Sequence, residues 1–254
     1  MREKGSIQCV ERTFELLELL ARSAEPLSLK EISTKCNLAL PTAHRLLNNL
    51  CSLKYVIHEH GGYYRVSLKL YELANQTAPR SSLIAIAKPY IDELSSSLGE
   101  SVHLVVRDEN DVVYVYKVTQ PIGSIQMASK IGMRLPMYRC ATGKAIMASL
   151  PNGEIKKIFE SSNVISVTKN TITDFADLMK EINQVRINNY AMDNEENEEL
   201  ISCIATSLGR EGDDINYAVS VSTLTARLTD EHKNEIITAL LKTKNKVEQL
   251  LVVE

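Results

Sequence analysis

Polar side chains able to hydrogen-bond to DNA bases lie close together between residues 42 and 48. If this stretch is a helix, its apolar positions leave the other faces to Thr42, His44, Arg45 and Asn48. An arginine can read a base edge in the major groove, and a basic side chain elsewhere can hold a phosphate. Arg65 is the candidate for that second role. These five residues can bind DNA only if the surrounding elements form a module that enters the groove.

The segment from residue 26 to 53, PLSLKEISTKCNLALPTAHRLLNNLCSL, predicts two short helices separated by a tight turn. Ser28 and Glu31 have the spacing of a capping box, in which each side chain accepts the other residue's backbone amide. Asn37 tolerates the left-handed conformation of a helix end, and Pro41 suits a first helical turn. The predicted inward faces are Leu29, Ile32 and Cys36, then Ala43, Leu46, Leu47 and Leu50. This pattern indicates a helix-turn-helix or, failing that, an ordinary pair of packed helices.

A hairpin signal follows the second helix. Two β-prone runs, 55–57 and 64–66, flank Gly61 and Gly62, which predicts a tight turn between two strands. A helix-turn-helix followed by a hairpin is a winged helix, whose wing tip would carry His58, Glu59, His60, Tyr63 and Arg65. Residues 28–70 contain six Lys or Arg residues against two Glu residues, although the whole chain has a net charge of -3. A basic segment in an acidic chain favours DNA binding by this module alone.

Helical patterns flank the winged segment. Residues 10–21 predict a first helix with an inner stripe of Phe14, Leu17, Leu20 and Ala21. Residues 68–78 are helix-prone, and the Pro79-Arg80-Ser81-Ser82 break that follows is the best candidate for a domain boundary.

The rest of the chain alternates helices with short strands. A long amphipathic helix is predicted over 82–98, with Pro89 inside it and Gly99 as its C-terminal cap. The predicted strands are 102–106, 112–118, 124–129, 200–208 and 215–223, the last two around a turn at 209–214. Further helices are predicted to begin at Thr142, at a capping Asn152, at 174 (ending at 189) and at a capping Thr229, the final helix having Ile236, Ile237, Leu240, Leu241, Val247 and Leu251 inward. Hairpin-joined strands with helices predict an α+β domain with a mainly antiparallel sheet.

Length and composition indicate a soluble globular protein. The chain has 254 residues, of which 44% are apolar and 24% charged, so one or two domains are expected. We find no apolar run of bilayer-spanning length and no signal-peptide pattern, and we therefore expect a cytoplasmic protein without a membrane partner. The five cysteines are odd in number and none are spaced C-x-x-C. Reduced thiols, no metal site and no cofactor are the expectation.

Three stretches make the chain resemble the IclR family of bacterial transcriptional regulators. They are RLPMYRCATGKAIMASL, YAMDNEENEELISCIATSL, and AVSVST with its Ser220 placed 17 residues after Cys203. The resemblance spans essentially the whole chain. It implies a winged helix-turn-helix domain (1–68), a linker helix (69–81) and a GAF-like α/β effector and oligomerisation domain (82–254). It also implies a regulator, in the first instance a repressor, that binds double-stranded operator DNA as a homodimer or homotetramer and senses a small organic acid.

The resemblance also implies an effector pocket. The matching positions are Leu135, Ala141, Thr142, Asp193, Ile201, Cys203, Ser220 and Ser222. At Thr142 a helix start would offer backbone N–H groups to a carboxylate. Ser220 and Ser222 would share one face of a strand, and Asp193 could accept from a ligand hydroxyl. The stretches VVYVYKV and DNEENEELISCIA look closest to the 2-keto-3-deoxygluconate repressor branch, which suggests a sugar acid.

Plainer interpretations exist for most of these residues. The two serines could form the polar outer face of a sheet, Cys203 could be a small core residue, and Asp193 a loop acid. Residues 194–199 could be a solvated acidic loop, His103 a core or surface histidine, and Lys144 an exposed residue without a function.

Two other functions compete with the regulator. A thiol hydrolase could use Cys203 with His103, but the sequence contains no nucleophile motif, glycine-rich phosphate loop or metal-ligand cluster. A ligand-sensing module with a vestigial winged helix is the other alternative. Ala39, Leu40 and Pro41 stand where the family has a polar, often Ser-rich entry to its recognition helix, so a helix cap and a phosphate contact are missing.

Overall fold

A computed structural model of the chain describes residues 7–77, 82–120, 127–209 and 217–251. The chain divides into two compact units, Met1–Arg80 and Ser81–Glu254. Each unit has its own buried core. The strands 124–129 and 215–223, the turn at 209–214 and the break at 79–82 fall partly or wholly outside the described residues.

The first unit is a helix-turn-helix followed by a hairpin. Its elements are α1 Gln8–Arg22, β1 Leu27–Ser28, α2 Leu29–Lys35, α3 Leu40–Ser52, β2 Val56–Glu59, β3 Tyr63–Val66 and α4 Lys69–Thr77. The strands form an antiparallel sheet in the order β1-β3-β2. Gly61 and Gly62 have φ values of +94° and +84° in the hairpin turn, a conformation that glycine adopts without steric cost.

Local signals place α2 and α3. The backbone amide of Ser28 donates to the Glu31 carboxylate at 2.8 Å, and the Glu31 amide donates to the Ser28 hydroxyl at 3.4 Å. Asn37 adopts a φ of +50° between the helices, and Pro41 lies in the first turn of α3. The predicted capping box, the turn and the inward face of α3 are therefore confirmed, with Ala43, Leu46, Leu47 and Leu50 buried.

The predicted inner stripe of α1 is half wrong. Leu17 and Leu20 are buried together with Leu16, but Phe14 is 58% exposed and Ala21 is also exposed. Phe14 and Ala21 are seven residues apart and therefore lie on one helical face, which this unit leaves uncovered. Ile7 and Val10 are exposed as well, so α1 has an apolar face without a partner in the described part of its unit.

The second unit is a six-stranded antiparallel sheet, in its described part, with helices on both faces. The elements are α5 Ser82–Leu98, β4 Ser101–Asp108, β5 Asp111–Val118, β6 Arg134–Pro136, α6 Ala141–Met147, α7 Asn152–Ser161, α8 Phe175–Asn188, β7 Ala191–Asn194, β8 Ile201–Leu208, β9 Tyr217–Leu224 and α9 Asp230–Leu251. The strand order is β6-β5-β4-β9-β8-β7. The α+β class with an antiparallel sheet is confirmed.

The two faces of this sheet have different functions in packing. Val219 and Val221 on β9 pack in the cluster that includes residues of α5 and α9. The alternate residues Ser220 and Ser222 point to the other face, where α6, α7 and α8 pack. Both faces of β9 are covered, so the two serines are only 4% and 3% exposed. The interpretation of these serines as a polar outer face is therefore wrong.

Several predicted elements need correction. Residues 127–129 are not a strand, and β5 pairs instead with β6, a strand that was not predicted. The short strands β1 and β7 were not predicted. Asn152 is the first residue of α7 rather than its cap, and its side-chain oxygen accepts from Arg186 at 2.8 Å. The cap at Thr229 and the left-handed Gly99 are confirmed, and Asp174 caps α8, which was not predicted. Of the predicted inner face of α9, Ile236, Leu240 and Val247 are fully buried.

Candidate functional site

The predicted base-reading residues lie on the free face of α3. Its buried stripe leaves His44, Arg45 and Asn48 exposed, and Thr42 is half-buried. The Asn48 side-chain nitrogen lies 3.5 Å from the His44 ring. At the helix start, Ala39 makes no side-chain capping hydrogen bond. The start of α3 therefore lacks a side-chain cap, as the sequence implied.

The wing contains an ion pair that the sequence did not suggest. Arg65 on β3 donates through Nε to the Glu59 carboxylate on β2, and its side chain is 48% exposed. His58 stacks on Tyr64 with ring centroids 4.5 Å apart. The guanidinium predicted to contact phosphate is thus held by an acid of the same hairpin.

All eight predicted pocket residues line one cavity in the second unit. The cavity, including its opening to solvent, has a volume of about 540 Å³. The centre of a water-sized sphere can occupy only about 40 Å³ of it. A single such sphere needs roughly 10–15 Å³, so the cavity is narrow. Its lining includes further residues that sequence reasoning did not assign to it: His103, Tyr114, Met127, Ala128, Ser129, Met133, Cys140, Asn197 and Glu198.

A chain of hydrogen bonds crosses one wall of this cavity. Cys203 Sγ and Ser222 Oγ are 3.1 Å apart, and Ser222 Oγ is 3.3 Å from His103 Nδ1. His103 Nε2 continues the chain to Ser129 Oγ at 3.0 Å, and Lys117 Nζ donates to the same hydroxyl at 2.8 Å. Apart from the Lys117 ammonium, this chain therefore presents neutral donors and acceptors that can orient hydroxyl groups of a ligand.

Burial keeps most titratable groups of the cavity neutral. It lowers the pKa of His103 to about 3, with the Lys117 charge adding to the effect. Burial raises the pKa of Cys140 to about 11 and that of Cys203 well above its usual value. Asp193, on β7, is 3% exposed. Burial, followed by repulsion from Glu196, raises its pKa to about 7.

Lys144 is buried, so its interpretation as an exposed residue is wrong. It is 0% exposed, and Nζ donates to Glu196 Oε1 at 2.6 Å and to Oε2 at 2.9 Å. Glu196 belongs to the 194–199 segment, and Thr168 and Thr171 also bind that segment's carbonyl oxygens. Residues 194–199 are therefore not a fully solvated acidic loop. They form an anchored wall that continues from Asp193.

Gly143 allows the backbone of α6 to lie directly against Met137 in the preceding segment. A Cβ atom at Gly143 would lie 2.2 Å from the carbonyl oxygen and 2.3 Å from the Cα of Met137. No side chain fits there, so the glycine permits direct backbone contact. A lysine after a glycine in an otherwise apolar helix, ATGKAIM, is the sequence signal that could have indicated a buried charge.

Comparison with known proteins identifies the family. Residues 9–59 match the IclR helix-turn-helix domain, and residues 75–249 match the family described as bacterial transcriptional regulator IclR C-terminal. The chain belongs to the IclR family. It is 31% identical to the HTH-type transcriptional regulator KdgR of Escherichia coli K12 over 247 residues, which cover 97% of this chain and 93% of that protein.

Solved IclR structures have the same fold. The Thermotoga maritima IclR matches with a TM-score of 0.82 and 28% identity, covering 95% of this chain and 98% of that one. An IclR homolog from Microbacterium hydrocarbonoxydans, complexed with 4-hydroxybenzoate, also has a TM-score of 0.82 at 18% identity, with 97% and 100% coverage. The chain is thus a DNA-binding transcriptional regulator with a helix-turn-helix and an effector-binding domain, as predicted.

Proposed function

We propose that this regulator is a repressor whose operator affinity is changed by a small hydroxylated carboxylate bound in the second-unit cavity. The observation that carries the ligand site is that eight residues, dispersed from 135 to 222 in the sequence, line the same cavity. The relatives of this chain are transcriptional regulators, so we assign the cavity to ligand sensing and not to catalysis.

We assign operator recognition to Thr42, His44, Arg45 and Asn48 on α3 and phosphate contact to Arg65. Arg45 is exposed on the face of α3 that its core leaves free. The test is a gel-shift assay on the DNA upstream of the gene that encodes this chain. There Arg45→Ala should lose about 1–3 kcal/mol of binding affinity if Arg45 reads a base. Arg65→Ala should weaken all sequences alike and flatten the salt dependence.

The control for both variants is Arg22→Ala, which also removes an exposed charge but from the end of α1. An operator affinity unchanged in the Arg45→Ala, Arg65→Ala double variant would refute the assignment. Failure of the unmodified chain to shift any upstream fragment would favour the alternative of a vestigial winged helix. The uncapped Ala39, which costs about 1 kcal/mol of helix stability, keeps that alternative open.

We further propose that the chain binds DNA as a dimer or a dimer of dimers. Two recognition helices must be about 34 Å apart to read a palindromic operator, and one winged helix cannot meet that spacing. The exposed apolar face of α1, with Ile7, Val10 and Phe14, and the exposed Leu68 and Tyr71 beside or within α4 are the candidate contacts. A monomer by light scattering at micromolar concentration would contradict this assembly, and Phe14→Glu should weaken it.

The ligand is proposed from the donors of the cavity. Because α6 has only seven residues, we assign no binding to its dipole and rely instead on side chains. Ser220, Ser222 and Thr142 are at most 4% exposed and line the cavity. They can bind ligand hydroxyl or carboxylate oxygens, and Asp193 can accept from a hydroxyl. A sugar acid such as 2-keto-3-deoxygluconate has this combination of groups.

A thermal-shift screen of sugar acids and aromatic acids tests the ligand site. A ligand at a hundred times its Kd stabilises the folded protein by about 2.7 kcal/mol. Ser220→Ala with Ser222→Ala should weaken binding, since each buried polar group left unpaired costs about 1–3 kcal/mol. Ser207→Ala, on β8 but outside the cavity lining, is the matched control. If the double variant binds the acid as tightly as the parent does, the ligand site lies elsewhere.

The geometry argues against the thiol hydrolase. The ring of His103 binds Ser222 and Ser129 rather than Cys203. Burial raises the pKa of the Cys203 thiol and lowers that of His103, and both shifts oppose the thiolate–imidazolium pair that such catalysis needs.

The structure has no helix among its described residues that could cross a membrane. The same part of the chain holds no cluster of His, Cys, Asp or Glu side chains suited to a metal ion.

A further inference from the structure

The charged lining of the cavity is acidic. Asp193 and Glu198 are the ionisable acids among its described lining residues, and that part of the lining includes no Lys or Arg. Two ammonium groups beside the lining already have hydrogen-bond partners. Lys144 binds both carboxylate oxygens of Glu196, and Lys117 donates to the carbonyl and hydroxyl oxygens of Ser129, each at 2.8 Å. Within the described lining, a carboxylate ligand would therefore meet the acids Asp193 and Glu198 and no Lys or Arg side chain.

Asp193 is the acid that such a ligand meets in the least hydrated position. It is 3% exposed, and one carboxylate oxygen accepts the Glu196 backbone amide at 2.7 Å. Its register partner on β8 is Cys203, which binds Ser222 across the cavity wall. Two carboxylates that share a poorly hydrated site cannot both stay ionised, because the like charges and the loss of water both disfavour a second anion. A shared proton removes the conflict.

We propose that the effector carboxylate binds together with one proton, which Asp193 takes from solvent. The proton forms an O–H bond on Asp193, and this O–H donates to a carboxylate oxygen of the ligand. No other covalent bond of protein or ligand changes. The inference rests on the proposed function, since it requires that the cavity binds a carboxylate.

The other titratable groups around Asp193 do not compete for this proton near neutral pH. Burial raises the pKa of the Tyr114 hydroxyl on β5 and of the thiols Cys140 and Cys203, and it lowers that of His103 on β4, so all four stay neutral. Glu196, from the loop after β7, and Lys144, from α6, neutralise each other. Glu198 also lines the cavity but is only half-buried, so water can screen its charge. Asp193, with a pKa of about 7, can gain a proton in the physiological range.

Isothermal titration calorimetry on the full chain tests the proton uptake directly. The probes are 2-keto-3-deoxygluconate and 4-hydroxybenzoate, each titrated in phosphate and in Tris, two buffers with different ionisation enthalpies. The enthalpy difference between buffers gives the number of protons taken up. At about pH 8 we expect uptake approaching one proton per site, and above the pKa of Asp193 the Kd should rise by about tenfold per pH unit. The neutral 4-hydroxybenzamide should bind without that pH dependence.

Two variants identify the group that carries the proton. Asp193→Asn, which cannot ionise, should bind the carboxylate with no proton uptake and with a Kd that is flat between about pH 6 and about pH 8. Glu198→Gln removes the other lining acid and should retain both the uptake and the pH dependence. Uptake that persists in Asp193→Asn, or is lost in Glu198→Gln, would overturn the proposal.

The unmodified chain alone separates the possible failures. If neither acid binds at any pH, the proposed carboxylate ligand fails and the proton linkage fails with it. If an acid binds with no buffer-dependent enthalpy and a constant Kd, the linkage is wrong while the proposed ligand class stands. These measurements on the unmodified protein need no variant, so misfolding of Asp193→Asn would not leave the proposal undecided.

Discussion

Replacing Lys144 by Met should destabilise the second unit strongly. The Lys144 side chain is 0% exposed, and its ammonium donates to both oxygens of Glu196, whose side chain is 8% exposed. Methionine fills a similar volume but removes the charge. The variant therefore leaves a carboxylate buried without its cation, and that carboxylate is the source of the expected loss.

The magnitude follows from the asymmetry of buried ion pairs. Removing one partner of such a pair typically costs about 3–5 kcal/mol, whereas replacing both by apolar groups is often neutral or stabilising. For a unit of this size, about 1 kcal/mol shifts the Tm by about 2–4 °C. Lys144→Met should thus lower the Tm by roughly 6–20 °C. The Lys144→Met, Glu196→Leu double variant should recover most of that loss.

The loss should also depend on pH. Burial raises the pKa of Glu196, and the Lys144 charge opposes that shift. Without Lys144 the pKa of Glu196 rises further. A protein with a carboxyl group whose folded-state pKa is raised loses stability as the pH increases through that folded-state pKa. Lys144→Met should therefore be less harmful at about pH 5, where Glu196 can protonate, than at about pH 8.

Calorimetric unfolding of the full chain at both pH values measures these effects. Lys180→Met is the matched control, because Lys180 binds Asp177 at a similar 2.7 Å but with 76% of its side chain exposed. That control should leave the Tm nearly unchanged, since water already solvates both charges. A Lys144→Met variant as stable as Lys180→Met at about pH 8 would refute the reasoning, and so would a double variant no better than the single one.

Three further variants test other parts of the chain. Glu59→Gln should release Arg65 for phosphate contact, so that gel shifts show tighter binding and a steeper salt dependence; weaker binding would contradict this. Gly143→Ala should cost at least about 1–3 kcal/mol in urea denaturation, because its Cβ would lie 2.2 Å from the Met137 carbonyl oxygen. A wild-type midpoint would show that α6 can move freely. Asp174→Ala should cost about 0.5–2 kcal/mol in the same assay, since that side chain accepts two amides at the start of α8, and an unchanged midpoint would show that the cap is dispensable.

The helix-turn-helix could be predicted well because its signals are local. A capping box, a left-handed Asn37 and a proline in the first turn each depend on residues fewer than four positions away. The face of α1 was predicted less well, because which of two apolar stripes is buried depends on the rest of the unit. Phe14 is as apolar as Leu16, and only the tertiary packing decides that Leu16 is covered.

Strand alternation and family resemblance predicted the pocket residues. They did not predict the contacts between those residues. Alternation places Ser220 and Ser222 on one face of β9. That face is covered by α6, which is far from β9 in the sequence, so local patterns cannot predict its burial. The pairing of Lys144 with Glu196 joins residues 52 positions apart. No local pattern predicts such a pair, and a charged residue is by default expected at the surface. The burial of the acidic wall was missed for the same reason.

The apolar double variant, Lys144→Met with Glu196→Leu, also separates the two acids of the wall. Burial is the largest cause of the raised pKa of Asp193; repulsion from Glu196 is next, and the opposing attraction of Lys144 is smaller. Removing the pair together therefore takes away a net repulsion but leaves the burial. Asp193 should still titrate above the range of an ordinary carboxyl group, and the pH at which carboxylate binding weakens should move only slightly downward. Complete loss of the pH dependence in that double variant would mean that the proton resides on Glu196 and not on Asp193.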